Sequence, residues 1–326
     1  MAGHPPTLDF YSVLEVSPRA SKEVVHAAYR ALSMLHKSNE KRLRSLNAAK
    51  DVLLDDAQRF DYDKQLASKS KRIGNYRVTG EIAEGGFGKT YKAEHIALGT
   101  QVCIKHANKV SPQDEEIMLG EAKSIWDLRH YGIPAIRDIL KLEDGSMAIV
   151  MSYVPGPTLA QILEKKGGGL DPEHVAWISE RVLNILKYLH YHGVVHGDMK
   201  PGNIIVQPDS HMVVLVDYGL ALIRPSSTDS NKGFTPVFAA PEQVNGGPLL
   251  PETDFYGLGL TMIAALGGDV ATKKVPASTP AGLCGFIKKL IAYDILSRPN
   301  WGKEDLWQAI QETRERDFGR RASNMK

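Results

Sequence analysis

The chain has 326 residues, with 40 Lys and Arg against 38 Asp and Glu and a formal net charge of +2. That length exceeds one small core and suits two domains of unequal size, while the near balance of charge excludes a general binder of nucleic acid or of membrane surfaces. The two cysteines, Cys103 and Cys284, are too far apart for a disulfide framework or a paired zinc site, and fit a reducing, cytoplasmic setting.

The opening MAGHPPTLDF carries no basic and apolar leader. Residues 9–66 read as entirely helical. Val25, Ala28, Tyr29 and Leu32 recur at helical spacing, Leu43, Leu46, Val52 and Leu53 follow in a second segment, and Ser21 is placed to cap the first long helix. A polar, basic stretch without periodicity, ASKSKRIGN, makes a linker of 67–75. From Tyr76 onward, strand-like runs (YRVTGEIAE, QVCIKHA, MAIVMSYV) give way after Pro157 to long helical patterns such as HVAWISERVLNILKYLHYHG. A small sheet-rich lobe therefore precedes a larger helical one over 76–314. The apolar stretch GLGLTMIAALGG is too short to cross a bilayer and reads as a buried helix. Residues 315–326 form a basic, solvated tail, in which Ser323 after Arg320 and Arg321 is a candidate phosphoacceptor. Trp126 and Trp177 are expected to pack, and His130, His190 and His192 lack metal-ligand spacing and are expected to be structural or solvent-exposed.

The chemistry concentrates in four places. In EIAEGGFGKTYKAEH, Gly85, Gly86 and Gly88 lie between two strand-like runs, so the backbone can turn tightly and present amides to a phosphate chain. QVCIKHA sets Lys105 in an apolar strand, where an unpaired ammonium is costly. The pattern DEEIMLGEAKSIWDLRH offers it a partner, since Glu121, Ile125 and Leu128 share one helix face and turn Glu121 inward. VVHGDMKPGNIIV then gathers a His, an Asp, a Lys and an Asn. Asp198 can accept a hydrogen bond from an attacking hydroxyl, Lys200 can neutralise a transferring phosphoryl group, and Asn203 can bind a divalent metal through its amide oxygen. In MVVLVDYGLAL, Asp217 ends an apolar strand ahead of Tyr218 and Gly219, a natural place for a second metal ligand. Each of these Asp residues alone is more often a turn former or a cap. Together, in this order, the four places point to phosphoryl transfer.

From about Tyr76 to about Arg314 these motifs resemble the eukaryotic-like (Hanks-type) serine/threonine protein kinases. GFTPVFAAPEQ is similar to the family's substrate-positioning loop and Ala-Pro-Glu motif, with Thr235 and Glu242; TDFYGLGL supplies Asp254 at the start of the central helix, and SRPN supplies Arg298 as the implied partner of Glu242. The resemblance implies an α+β, bilobal fold with a small β-rich N-lobe and a large helical C-lobe. It also implies ATP with Mg2+ or Mn2+ as cofactors and phosphorylation of Ser or Thr hydroxyls on protein substrates, autophosphorylation included. By the same resemblance Asp198, Lys200, Lys105, Glu121 and Thr235 are catalytic, and Asn203 and Asp217 hold metal. Gly85, Gly86, Gly88 and Lys105 serve the phosphates. Met151 is the gatekeeper, Ser152, Tyr153 and Val154 form the hinge that holds adenine, and Thr90, Cys103 and Ile205 flank its ring. Ile125, Ile136, His196 and Tyr218 would stack as a spine.

Three departures stand out. Ala83 takes the place of the family's first loop glycine, and Tyr218 replaces the usual Phe. Gly197 replaces the Arg that pairs with a phosphorylated activation loop in regulated members, so activity is expected to depend little on phosphates at Ser226, Ser227, Thr228 or Ser230. The N-terminal segment resembles a DnaJ-type J domain through LDFYSVLEVSPRASKEVVHAAYRALSMLH and LNAAKDVLLDDAQRFDYDK, yet His36, Lys37 and Ser38 stand where that family has His-Pro-Asp, and the loop is shortened. A J-like helical domain that docks on the kinase or recruits a partner is expected, rather than a co-chaperone. Two further readings stay open: a pseudokinase scaffold built around the two domains, and a small-molecule phosphotransferase, because His-Gly-Asp also occurs in aminoglycoside and choline kinases. The combination suggests a bacterial or phage-linked cytosolic kinase with a cognate phosphatase and no nucleic-acid or membrane partner.

Overall fold

In the computed structural model, residues 9–69, 71–85, 88–107, 111–225 and 233–319 are described. The chain divides between Arg72 and Ile73 into two units, each with its own core.

The first unit contains helices α1 (Phe10–Val13), α2 (Lys22–Leu35), α3 (Glu40–Leu54) and α4 (Asp56–Lys69). Ser21 caps α2 as expected, its hydroxyl accepting the Val24 N–H. Only His36 to Asn39 join α2 to α3, and these two helices with α1 enclose Tyr11, Leu14, Val25, Leu46 and Leu53. α4 is held to this core by polar groups as well. The Arg59 guanidinium donates to the Tyr11 hydroxyl and to the Pro18 and Ala20 carbonyls at 3.1, 3.0 and 2.9 Å, and the Tyr11 hydroxyl donates to Asp63 at 2.7 Å. Burial, reinforced by the Asp63 carboxylate, pushes the Tyr11 phenol up to about 12.

The second unit opens with a six-stranded sheet in the order β1-β2-β3-β4-β6-β5, formed by β1 (Arg72–Ile73), β2 (Tyr76–Gly85), β3 (Gly88–His95), β4 (Gln101–Ala107), β5 (Ile136–Lys141) and β6 (Met147–Ser152). Ala83 pairs with Thr90 just after a register shift that follows Glu81, and its backbone is not left-handed, so the position does not require glycine. Helix α5 (Pro112–Ile125) starts at a Ser111–Asp114 capping box and stops five residues short of the end of its sequence pattern at His130. Arg129 explains the stop: its guanidinium donates to the Trp126 and Leu128 carbonyls, both at 2.8 Å, which satisfies carbonyls that a longer helix would have used. Leu128 stays buried from the turn that follows.

The helical lobe adds α6 (Leu159–Lys166), α7 (Pro172–Tyr191), the short strands β7 (Val194–Val195), β8 (Ile204–Gln207), β9 (Met212–Leu215) and β10 (Leu222–Ile223), then α8 (Pro241–Val244), α9 (Pro251–Ala265), α10 (Ala281–Leu290) and α11 (Leu306–Phe318). Apolar nearly all round, α9 is buried from Thr253 to Ile263 and forms the centre of this lobe. Two buried ion pairs brace it. Arg298 grips Glu242 with two parallel bonds of 2.7 and 2.9 Å, and Arg314 of α11 pairs with Glu180 of α7. Trp177 packs fully inside as expected, but Trp126 is 45% exposed, because it lies past the last turn of α5 rather than on its inner face. Among the described residues no helix is long and apolar enough to cross a membrane.

Candidate active site

On β4, Lys105 alternates with the buried Ile104 and His106, and its ammonium leaves the sheet toward α5. There it meets Glu121 at 2.7 Å and Asp217 at 3.2 Å, so one cation joins the sheet lobe, α5 and the loop after β9. Removal from water works against the Lys105 charge, but Glu121 and Asp217 outweigh it and hold the ammonium above its ordinary range. For Asp217, burial opposes ionisation and the Lys105 charge and hydrogen bond prevail, so its carboxyl lies below the usual carboxylate range. Glu121, 3% exposed, is pushed up by burial in spite of Lys105. Asp217 also has a left-handed backbone at φ +64°, which costs a non-glycine residue about 1–3 kcal/mol and aims its half-exposed carboxylate into the cleft.

The loop after β7 is clamped from several sides. Asp254, fully buried at the start of α9, accepts the backbone N–H groups of His196 and Gly197, each at 2.8 Å. His190 bonds the same carboxylate at 2.8 Å and accepts the Trp301 indole N–H at 2.8 Å. Around Asp198 the polar groups close into a ring. Lys200 donates to Asp198 Oδ2 at 2.6 Å and to Thr235 Oγ1 at 2.9 Å, and the Thr235 hydroxyl donates to Asp198 Oδ1 at 2.7 Å. The Asn203 amide nitrogen donates to the Asp198 backbone carbonyl and to Oδ2 at 2.9 and 3.0 Å, which orients its Oδ1 as the free acceptor. Asp217 likewise gives only Oδ1 to Lys105. The oxygens left over on Asn203 and Asp217 are of the kind that could serve a hard divalent cation.

The nucleotide side is built from strand register. Cys103 lies opposite Met151 and Thr90 opposite Lys105, while Ser152, Tyr153 and Val154 leave the end of β6 half-buried and Ile205 lies half-buried on β8. Burial pushes the Cys103 thiol up to about 11 and keeps it neutral. Gly85 and Gly88 face each other across β2 and β3; Gly86 lies outside the described residues. At Gly88, φ is +130° and a Cβ would fall 2.2 Å from the His106 carbonyl oxygen, so only glycine fits. Ile125 and Tyr218 share the large core with Ile136 packed on it, and the His196 and Tyr218 rings meet edge-on with centroids 4.9 Å apart.

The protein kinase domain family matches residues 76–304, most of the chain. The chain belongs to the protein kinase family. The DnaJ domain family matches residues 9–63. Relatives include the serine/threonine-protein kinase pkn3 of Myxococcus xanthus, 34% identical over 206 residues, which is 59% of this chain and 38% of that protein. The hormonally up-regulated neu tumor-associated kinase of Mus musculus is 28% identical over 259 residues, 71% of this chain and 36% of the relative. Serine/threonine-protein kinase PrkC of Bacillus subtilis is 32% identical over 230 residues, 65% of this chain and 35% of the relative. The kinase thus aligns with little more than a third of each relative's length.

Of the candidate residues, Lys105, Glu121 and Asp217 meet in one group, Asp198, Lys200, Asn203 and Thr235 in a second, and Glu242 pairs with Arg298. Gly86 and the four hydroxyls Ser226, Ser227, Thr228 and Ser230 lie outside the described residues. Two contributors escaped the sequence reading. His190 is structural as expected, but its role as a link between Trp301 and Asp254 needs contacts made over 111 and 64 residues, which no local pattern displays. Gln243 donates to the Gly197 carbonyl at 2.8 Å; its position directly after Ala-Pro-Glu was the only available signal.

Proposed function

We propose that this kinase transfers the γ-phosphoryl group of ATP to Ser or Thr hydroxyls of protein substrates. The observation that carries this reading is Lys105 bonded at once to Glu121 and Asp217, because the three charges that must converge on a triphosphate are assembled. Lys105 would hold the phosphates, with the Gly85–Gly88 turn above them. Cys103, Thr90 and Ile205 would enclose adenine against the Ser152–Val154 hinge, with Met151 at the back. A divalent ion held by Asn203 and Asp217 would supply charge neutralisation at the phosphate oxygens.

Asp198 Oδ1, which accepts the Thr235 hydroxyl at 2.7 Å, is suited to accept a substrate hydroxyl in the same way. The substrate's hydroxyl oxygen would bond to the γ-phosphorus as the bond to the bridging oxygen breaks, with ADP taking the electron pair and Asp198 the hydroxyl proton. Lys200, bonded to Asp198 and Thr235, is placed to balance charge on the transferring group. The Glu242–Arg298 grip beside the positioning loop favours a protein substrate over a small molecule, since the small-molecule relatives lack that segment. The J-like unit would recruit a partner or substrate, in a bacterial cytoplasm with a phosphatase that reverses the reaction. Radiolabelled transfer from ATP to the chain itself and to a generic basic protein tests the reading: incorporation by wild type and loss in Asp198→Asn supports it, and equal incorporation by both overturns it.

A further inference from the structure

Gly197 combines an unusual backbone with bonds at both ends of its residue. Its φ is +75°, and a Cβ there would sit 3.0 Å from the Leu220 carbonyl oxygen. Its N–H is held by Asp254 and its carbonyl by the Gln243 side chain, each at 2.8 Å. Gln243 is 4% exposed and lies on α8, directly after the loop that carries Thr235. Its Oε1 accepts the Ala240 N–H at 3.0 Å, so one amide both caps α8 and grips the residue before Asp198. Both of these bonds join neutral amide groups.

We propose that Gln243 is a positioning residue that ties the end of the activation segment to the catalytic loop, taking over without phosphorylation the coupling that an Arg at position 197 would make through a phosphate. The proposal rests on the phosphoryl-transfer reading. A lost tie leaves the Gly197 carbonyl buried without its donor and frees the Asp198 backbone to drift, which lowers turnover more than nucleotide binding.

Two nearly isosteric variants separate this role from plain capping. Gln243→Glu keeps an acceptor for the Ala240 N–H but, ionised, cannot donate to Gly197; Gln243→Met loses both bonds. In the full chain, treated with phosphatase, both are expected to lower kcat at least tenfold with KM for ATP within about twofold. Thr313→Val, which removes the α11 hydroxyl that donates to the Ala309 carbonyl and accepts from Arg316, controls for general destabilisation and is expected to keep wild-type kcat. A readout independent of activity is amide hydrogen exchange, expected to speed up at least tenfold at Gly197 and Asp198 in Gln243→Met. Wild-type turnover in Gln243→Met overturns the tie, because that variant keeps neither bond. Unchanged exchange in Gln243→Met overturns it whatever the activity. Faster exchange in a protein whose wild type transfers no phosphate keeps the tie and overturns the phosphoryl-transfer reading instead.

Discussion

Asp217 carries a strained backbone, a depressed carboxyl and nearly half its side chain in solvent, so it contributes less to packing than to whatever enters the cleft. Asp217→Asn is therefore expected to lower kcat at least about 100-fold, the usual scale for lost electrostatic positioning, with a melting temperature within a degree or two of wild type; steady-state kinetics and a thermal melt check both halves. Lys105→Met is the less clean variant, because it strands the buried Glu121. At Gly197 the expectation reverses. Gly197→Ala must place a Cβ at φ +75° against the Leu220 carbonyl, which costs roughly 1–2 kcal/mol, readable in a denaturant titration as a lower midpoint at unchanged slope. The charge argument for this glycine was legible in the sequence. The backbone argument was not, since a positive φ is imposed by the Asp254 and Gln243 bonds from 57 and 46 residues away.

Among the elements, those with strong local signals matched their patterns: the strand QVCIKHA, the Ser21 cap and the buried helix at Pro251–Ala265 all follow from spacing within a dozen or so residues. The early end of α5 did not, because Arg129, inside the pattern, turns back to take the Trp126 and Leu128 carbonyls just past the helix. In the N-terminal unit, the polar fastening of α4 to Tyr11 is similarly long-range and has a pH signature. The Tyr11 phenol is raised in the folded state from 10.0 to about 12, so its contribution to stability is full below pH 10 and disappears as pH rises toward 12. Ultraviolet titration is expected to show a late tyrosine phase, to which burial of Tyr62, Tyr76 and Tyr218 also contributes, and Tyr11→Phe to reduce it by one phenol. The short link His36–Asn39 lacks the Pro and Asp of an active J domain, and the full chain is expected to leave the ATPase rate of a DnaK-type chaperone unchanged in a coupled assay.

For the whole molecule, the N-terminal unit buries a cluster of its own, separate from the three of the kinase unit, which makes two folding units. A chain lacking residues 1–70 is expected to keep the thermal transition of the kinase unit while changing which proteins it labels; a lysate labelled with radioactive ATP by both forms, compared band by band, measures the difference, and identical patterns remove the recruitment role. The Glu180–Arg314 pair has a consequence for synthesis. It joins α7 to α11 across 134 residues, inside the lobe, with both side chains almost fully enclosed. While the ribosome is still making that stretch, Glu180 has no cation to meet, and closing α7 into the core would bury a lone carboxylate at a cost of several kcal/mol. The nascent helical lobe is thus discouraged from sealing early, whereas the J-like unit, whose core among the described residues reaches no further than Tyr62, can finish while the kinase is still being translated.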